Sequence, residues 1–240
     1  MRDITLNGYI EEEAWFEDDI TPDTLHDALY AENTDPNEEV TIVLNSYGGI
    51  CNAATQMYDE IRNFPGKVNI LISGTAASAA TVVAMAADHL SITPGSIFMI
   101  HDPSTACWGN IAAFEETLAS LRATKASILN LYQQRSPLER EALAQMMTDT
   151  CWMDASAALD NGFVDEIAEK APKGVENAVF ERRVNIEDAK AKFDAWCSRT
   201  RYPKRKTAEP ATEPEKPKEE TPNDRIKAAE RMKRLALLKI

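Results

Sequence analysis

Apolar and polar positions change period several times along the chain, and each change predicts an element. Val40-Thr41-Ile42-Val43-Leu44 is a β-branched run suited to a buried strand, and it stops at Asn45-Ser46-Tyr47-Gly48-Gly49, where a turn has to follow. From Ala54 the apolar residues Met57, Tyr58 and Ile61 share one helical face until Pro65-Gly66 ends it. The unit then repeats. Val68 to Ile72 reads as a strand, Ser73-Gly74-Thr75 as a turn, and the small-residue segment Ala76 to Ala87 as a helix. Two such units in succession predict an α/β fold with parallel strands and right-handed crossovers.

The flanking segments extend this pattern. Ile4-Thr5-Leu6-Asn7-Gly8 predicts an edge strand, an acidic loop runs from Glu11 to Asp19, and Thr21-Pro22 opens a helix reaching Leu29. Beyond the second unit come two short strands, Leu90 to Ile92 and Ile97 to Ile100, punctuated by Pro94-Gly95. A helix from about Ile111 to Arg135 is longer than a compact domain needs. Ser136-Pro137-Leu138-Glu139 has the form of a capping box opening another helix, Asp154 caps a further short one that Gly162 terminates, and Phe163 to Ile167 closes as a strand. Residues 203–222 hold five prolines among Lys, Glu and Thr and almost nothing apolar, so 199–223 is expected to be a solvated, disordered linker. Residues 224–240 predict a basic amphipathic C-terminal helix, able to dock on a partner or to remain a solvated tail.

Composition narrows the class. Of the 240 residues, 44% are hydrophobic and 27% charged, ordinary for a globular protein. No apolar stretch is long enough to span a bilayer and the first residues lack the features of a signal peptide, so no membrane association and a cytoplasmic location are expected. The net charge of −13 is uneven: residues 199–240 carry 13 Lys+Arg against 7 Asp+Glu, so the body is acidic and the tail basic. An acidic body repels phosphate backbones, which argues against nucleic acid as the main partner. Cys51, Cys107, Cys151 and Cys197 are widely spread with no paired spacing, so no zinc site, other metal or disulfide framework is indicated, nor any cofactor.

A serine nucleophile needs a base, backbone donors for the oxyanion and access for the substrate carbonyl. Ser78 follows a strand and a turn and opens a helix within Ala76-Ala77-Ser78-Ala79-Ala80, with small neighbours that leave room for a peptide. A helix-capping serine would occupy the same position. The histidines bear on the choice. His101 ends the apolar strand Phe98-Met99-Ile100, where sites form in open α/β sheets. His26 lies in the acidic N-terminal helix, and His89 at the far end of the helix that begins near Ser78, roughly 16 Å away at ~1.5 Å per residue. Gly48-Gly49 lets the backbone approach a ligand, or simply makes a strand-to-helix turn.

Asn45-Ser46-Tyr47-Gly48-Gly49, Gly74-Thr75-Ala76-Ala77-Ser78-Ala79 and Met99-Ile100-His101-Asp102-Pro103 resemble, in order and spacing, three signatures of the Clp protease proteolytic subunit family. The similarity covers about residues 38–168 of a domain spanning 1–198, including the closing Ala157 to Asp165 stretch. It implies a crotonase-like spiral of strand-helix units with a long protruding helix and homo-oligomeric rings in which that helix packs between rings. It also implies a Ser-His-Asp triad, with the backbone N–H groups of Gly49 and Ala79 forming the oxyanion hole. Counting back from Gly162 puts the family's acid at Thr150, and the neighbouring Asp149 is the expected third member. Asp154, a better N-cap, and Asp102, whose side chain should point away along the strand, are the alternatives.

Within the family, the chain looks most like the head maturation proteases of tailed bacteriophages. Tyr47 stands for the proline, and Asp102 for the glutamine, usual in the housekeeping subunit, and the fold begins almost at once at Ile4, leaving no segment for that subunit's axial loops. The resemblance implies an ATP-independent serine endopeptidase that cuts scaffold, capsid or portal polypeptides inside the prohead, with the basic tail as a recruiting element. Three other readings stay open: a housekeeping-type subunit working with an unfoldase, a crotonase-like acyl-CoA enzyme, and a catalytically lapsed assembly component.

Overall fold

The alternation of strand and helix is realised in a computed structural model that describes residues 2–168 apart from 15, 17, 32–34 and 36. The elements are β1 (Arg2–Asn7), α1 (Pro22–Leu29), β2 (Val40–Ser46), α2 (Cys51–Asn63), β3 (Val68–Ala77), α3 (Ala79–Ala84), β4 (His89–Ile92) and β5 (Ile97–Ile100). They are followed by α4 (Ile111–Tyr132), α5 (Arg140–Thr148), β6 (Cys151–Asp154), α6 (Ala155–Asp160) and β7 (Glu166–Ile167). The expected linker, the C-terminal helix and Cys197 lie outside the described residues.

Strands β1, β2, β3, β4 and β7 run parallel in that spatial order. Crossover helices cover the faces of such a sheet, which is why its strands read as nearly continuous apolar runs: Val40, Ile42, Val43, Leu44, Val68, Ile70 and Ile72 are all buried. α1 starts where expected. Pro22 occupies its first turn, and Thr21 and Thr24 exchange side chain–backbone hydrogen bonds at 3.1 and 2.9 Å.

The second unit differs from its sequence reading in a way that matters for the site. β3 does not turn at Ser73-Gly74-Thr75 but continues to Ala77, and α3 begins only at Ala79 and ends at Ala84. The cause is an exchange of partners: Asn69 to Ile72 pair with β4, and Thr75 to Ala77 pair with β5. Where the ladder changes, side chains take over its bonds. Asn45 Oδ1 accepts from the Thr75 N–H at 2.9 Å and Ser96 Oγ from the Gly74 N–H at 2.7 Å. Gly74 has φ +116°, and a Cβ there would lie 2.5 Å from Asn45 Oδ1.

Three further differences arise from tertiary contacts. Ser136 makes no capping box: its hydroxyl donates to the Asn161 carbonyl at 2.7 Å, and α5 starts later, with Glu139 as N-cap. Cys151–Asp154, unexpected as a strand, pairs antiparallel with β5, Ile100 opposite Cys151. Phe163 and Val164 are buried ahead of β7, which is reduced to Glu166–Ile167. The expected cap at Asp154 does form, accepting from the Ala157 N–H at 2.8 Å.

α4 runs well beyond the body that anchors it. Its buried residues, Ile128, Leu129 and Tyr132, all belong to its last turns, whereas Ile111 is 78% exposed and Phe114 and Leu118 about half exposed. The helix ends at Tyr132 rather than Arg135. Among the described residues, no helix is long and apolar enough to cross a membrane.

At the far edge of the sheet, Asp165 Oδ2 accepts from the Leu90 N–H at 2.7 Å and from Arg135 at 2.9 Å, with His89 Nδ1 3.6 Å away. Burial pushes the Asp165 carboxyl up, but the Leu90 hydrogen bond, Arg135 and His89 together outweigh it and hold the group below the ordinary carboxylate value. A carboxyl depressed on folding contributes stability that is present above its unfolded pKa and is lost as pH falls through the folded one. Asp165→Asn is therefore expected to lower the melting temperature at pH 7 and to differ progressively less from wild type as the solution is acidified below about pH 4. Paired thermal melts across that range check it; an equal deficit at every pH would assign the effect to packing.

Candidate active site

Three chain segments meet at one end of the parallel strands. The first is the turn after β2. Ser46 Oγ accepts the Gly48 N–H at 3.0 Å, Gly48 adopts φ +93°, and the Gly48 carbonyl accepts the Ile10 N–H at 2.9 Å. A Cβ on Gly48 would sit 2.5 Å from the Ala77 carbonyl oxygen and 2.8 Å from both the Ala79 nitrogen and the Ser78 Cβ. The absence of a side chain is thus what lets this turn lie directly against the start of α3.

The second segment is the junction of β3 and α3. Ser78 holds φ 56° and ψ −125°, a region that costs a non-glycine residue about 1–3 kcal/mol and persists where surrounding structure enforces it. Here the Ser78 N–H donates to the Met99 carbonyl of β5 at 2.9 Å, and its own carbonyl accepts the Thr81 N–H at 3.0 Å. Ser78 makes no side-chain cap to α3, so the competing reading of it as a capping serine does not hold. Its hydroxyl points elsewhere.

The third segment is the end of β5. His101 Nε2 lies 2.7 Å from Ser78 Oγ, the contact expected from the sequence. His26 and His89 are engaged with carboxylates instead: His26 with Glu60 at 2.7 Å, and His89, at the start of β4 rather than on a helix, with Glu166 at 3.1 Å. The backbone after His101 is anchored twice. The Asp102 N–H donates to the Met147 carbonyl at 3.0 Å, and its carboxylate pairs with Lys125 at 2.6 Å and accepts from Thr148 Oγ1 at 3.2 Å.

Asp149 is not brought to the imidazole. Its Oδ1 accepts from Gln145 Nε2 at 2.8 Å, and no carboxylate of a described residue lies within ion-pair distance of the His101 ring. The backbone explains this. Asp149 is the helical C-cap of α5, and Thr150 then takes φ 55°, a left-handed turn that sends Cys151 into the ladder with β5. Asp154 serves its helix cap, and Asp102 faces Lys125.

Two main-chain amides border the serine without an acceptor of their own. Neither the Gly49 N–H nor the Ala79 N–H donates to any described residue, although each adjoins hydrogen-bonded neighbours. Beside them a cleft of about 460 Å³ is lined by Gly49, Ile50, Cys51, Pro103, Thr117 and Leu121 among others, room enough for a peptide side chain. Burial pushes the Cys51 thiol up, which keeps it protonated at neutral pH and makes it no rival to the serine.

A hydroxyl bonded to an imidazole beside main-chain amides with no described acceptor is the arrangement serine hydrolases use. The comparisons with known proteins agree. The Clp protease family model matches residues 3–171. The ATP-dependent Clp protease proteolytic subunit 1 of Chlamydia pneumoniae is 28% identical over 176 residues, covering 70% of this chain and 92% of its own. The corresponding subunit of Bacteroides thetaiotaomicron is 30% identical over 153 residues, covering 62% of this chain and 70% of its own. Among solved structures, the ClpP1 N165D mutant from Listeria monocytogenes superposes with a TM-score of 0.61 at 22% identity, over 70% of this chain and 91% of that one, a likeness of fold. The chain belongs to the Clp protease family and is a serine-type endopeptidase.

Sequence reasoning gave no role to Asn45 and Lys125, whose side chains meet the Thr75 N–H and the Asp102 carboxylate far along the chain, where nothing local marks the contact.

Proposed function

We propose that Ser78 is the nucleophile and His101 its general base, with the Gly49 and Ala79 N–H groups receiving the oxyanion. The 2.7 Å contact between Ser78 Oγ and His101 Nε2 carries this reading. Ser78 Oγ attacks the scissile carbonyl as its proton passes to His101 Nε2, which requires the imidazole to hold its own proton on Nδ1. The carbonyl oxygen becomes an oxyanion facing the two amides, and collapse expels the amine, which takes the proton from His101. Water, deprotonated by the same imidazole, then releases the acyl group from Ser78. An acyl-CoA enzyme would use two amides but has no need of the serine–imidazole contact, so that alternative loses its support.

In this reading Ser78 and His101 act as a pair, and Asp149 contributes little. Asp149→Asn is expected to leave kcat near wild type, whereas amidating a true orienting acid costs about 10⁴-fold. Steady-state cleavage of a fluorogenic peptide by both proteins separates the two, and a loss of that size would put Asp149 back beside His101.

The biological role follows at a finer level. We propose an ATP-independent protease of phage head maturation, acting inside the prohead of a host cytoplasm on scaffold, capsid or portal polypeptides and working as homo-oligomeric rings. Tyr47 and Asp102, which replace the residues usual in the housekeeping subunit, support the phage assignment, and the exposed apolar residues Ile111, Phe114 and Leu118 on α4 support ring contacts. A second reading draws on the relatives' names, which describe ATP-dependent subunits. Incubation with a cognate scaffold protein, with and without ATP and an unfoldase, discriminates: fragments formed equally without ATP favour the phage role, and cleavage only with the unfoldase and ATP overturns it.

A further inference from the structure

The Ser78 carbonyl is held more tightly than the turn requires. Besides the Thr81 N–H at 3.0 Å, it accepts the Thr81 hydroxyl at 2.5 Å. Thr81 is fully buried, and its Oγ1 lies 2.6 Å from the hydroxyl of Tyr132, a residue 1% exposed near the end of α4. Each hydroxyl has one proton to give. The Ser78 carbonyl can only accept, so the Thr81 proton goes to it, and the short contact to Tyr132 must use the tyrosine's proton. The direction is fixed: Tyr132 donates to Thr81, and Thr81 donates to Ser78. Burial pushes the Tyr132 phenol far above its ordinary value, outweighing the Thr81 hydrogen bond that lowers it, so the donor keeps its proton. Bonds aligned in this way polarise and strengthen one another.

The Ser78 carbonyl and the Ala79 N–H belong to one planar, trans peptide unit and point in opposite directions. Anchoring the oxygen therefore aims the hydrogen. α3 is six residues long, too short to set that plane by itself, and Ser78 sits in a costly conformation. We infer that Thr81 and Tyr132 are positioning residues that fix the Ser78–Ala79 peptide plane, directing the Ala79 N–H at the oxyanion and holding the serine backbone in its strained turn. This rests on the reading of Ser78 as nucleophile and Ala79 as oxyanion donor. Neither side chain touches substrate; both act through one peptide unit.

A donor used only once the oxyanion forms contributes to kcat and not to substrate binding. Thr81→Val, isosteric without the hydroxyl, is expected to lower kcat about 10- to 100-fold, less than outright loss of a donor, with KM changed less than about twofold. Thr81→Ser restores the hydroxyl and recovers kcat to within about threefold of wild type. Tyr132→Phe gives a smaller loss. The double variant Thr81→Val/Tyr132→Phe removes both partners, leaves no buried hydroxyl unpaired, and is expected to match Thr81→Val in kcat, since the two act in series. It also guards against misfolding of the single variant. Fluorophosphonate labelling of wild-type Ser78 is the control: no labelling overturns the peptidase reading and this inference with it. If wild type is labelled and the folded double variant keeps wild-type kcat, or if KM rises as much as kcat falls, the positioning role alone is overturned.

Discussion

Ser78→Ala is expected to abolish both fluorophosphonate labelling and peptide cleavage, the largest loss of any single substitution, as removal of the nucleophile is in other serine peptidases. The size follows from the chemistry, because without Oγ there is no acyl intermediate and the 2.7 Å partner of His101 is gone. What remains is binding and two unbonded amides. The fold should survive, since Ser78 makes no side-chain cap to α3 and its main-chain bonds to Met99 and Thr81 do not involve Oγ. The φ of 56° strains alanine no more than serine, because both carry a Cβ, so the melting temperature should stay close to that of wild type. Tandem mass spectrometry of the labelled wild type should place the adduct on the peptide containing residue 78. Cleavage persisting undiminished in a folded, pure Ser78→Ala protein would end the assignment.

Gly48→Ala is expected to be the next most damaging change, lowering kcat by about 10²- to 10³-fold, the range found when one oxyanion donor is lost. The introduced methyl would meet backbone on two sides, at 2.5 Å from the Ala77 oxygen and 2.8 Å from the Ala79 nitrogen, and backbone cannot swing aside as a flexible side chain can. The φ of +93° adds strain that any L side chain feels. Relief has to come from parting the glycine turn from the start of α3, which separates the Gly49 and Ala79 amides that the proposed mechanism needs together. Gly95→Ala is the matched control, since no heavy atom lies within 4 Å of the site of its Cβ, and it should leave kcat and melting temperature unchanged. Equal kinetics for Gly48→Ala and wild type would show that the contact between the two turns is dispensable.

Much of the site was legible because its parts are punctuated locally. A β-branched run ending in glycines, a second run leading to a serine among alanines, and a histidine closing a third strand are features of neighbouring residues, and parallel α/β topology sends all three strand ends to the same edge. The acid was not legible in the same way. Asp149 stands one residue from the position counted back from Gly162, and which way its carboxylate faces depends on how α5 is terminated: Thr150 in the left-handed region turns the chain into β6, leaving Asp149 on Gln145. The expected turn at Ser73-Gly74-Thr75 failed for a related reason. Glycine permits a turn, but it equally permits a strand to bend and change partners, and Asn45 and Ser96 supply the hydrogen bonds that decide for the second. Ser136 was misassigned because its hydroxyl donates to the Asn161 carbonyl, 25 residues away, and accepts only the Leu138 N–H, ahead of α5, which begins at Arg140.

The chain's own letters determined the alternation of strands and helices, the parallel sheet, and the placing of residues 78 and 101 at strand ends, because apolar period, turn residues and strand ends are short-range properties carried by adjacent side chains. Tertiary structure alone decided the bend of β3, the antiparallel β6, the direction of the Asp149 carboxylate, and the buried line of hydroxyls from Tyr132 through Thr81 to the nucleophile's carbonyl. The bend, β6 and the Tyr132–Thr81 contact depend on groups meeting partners far along the chain, and the Asp149 carboxylate on how α5 ends where the chain enters β6; all are set by how the elements pack.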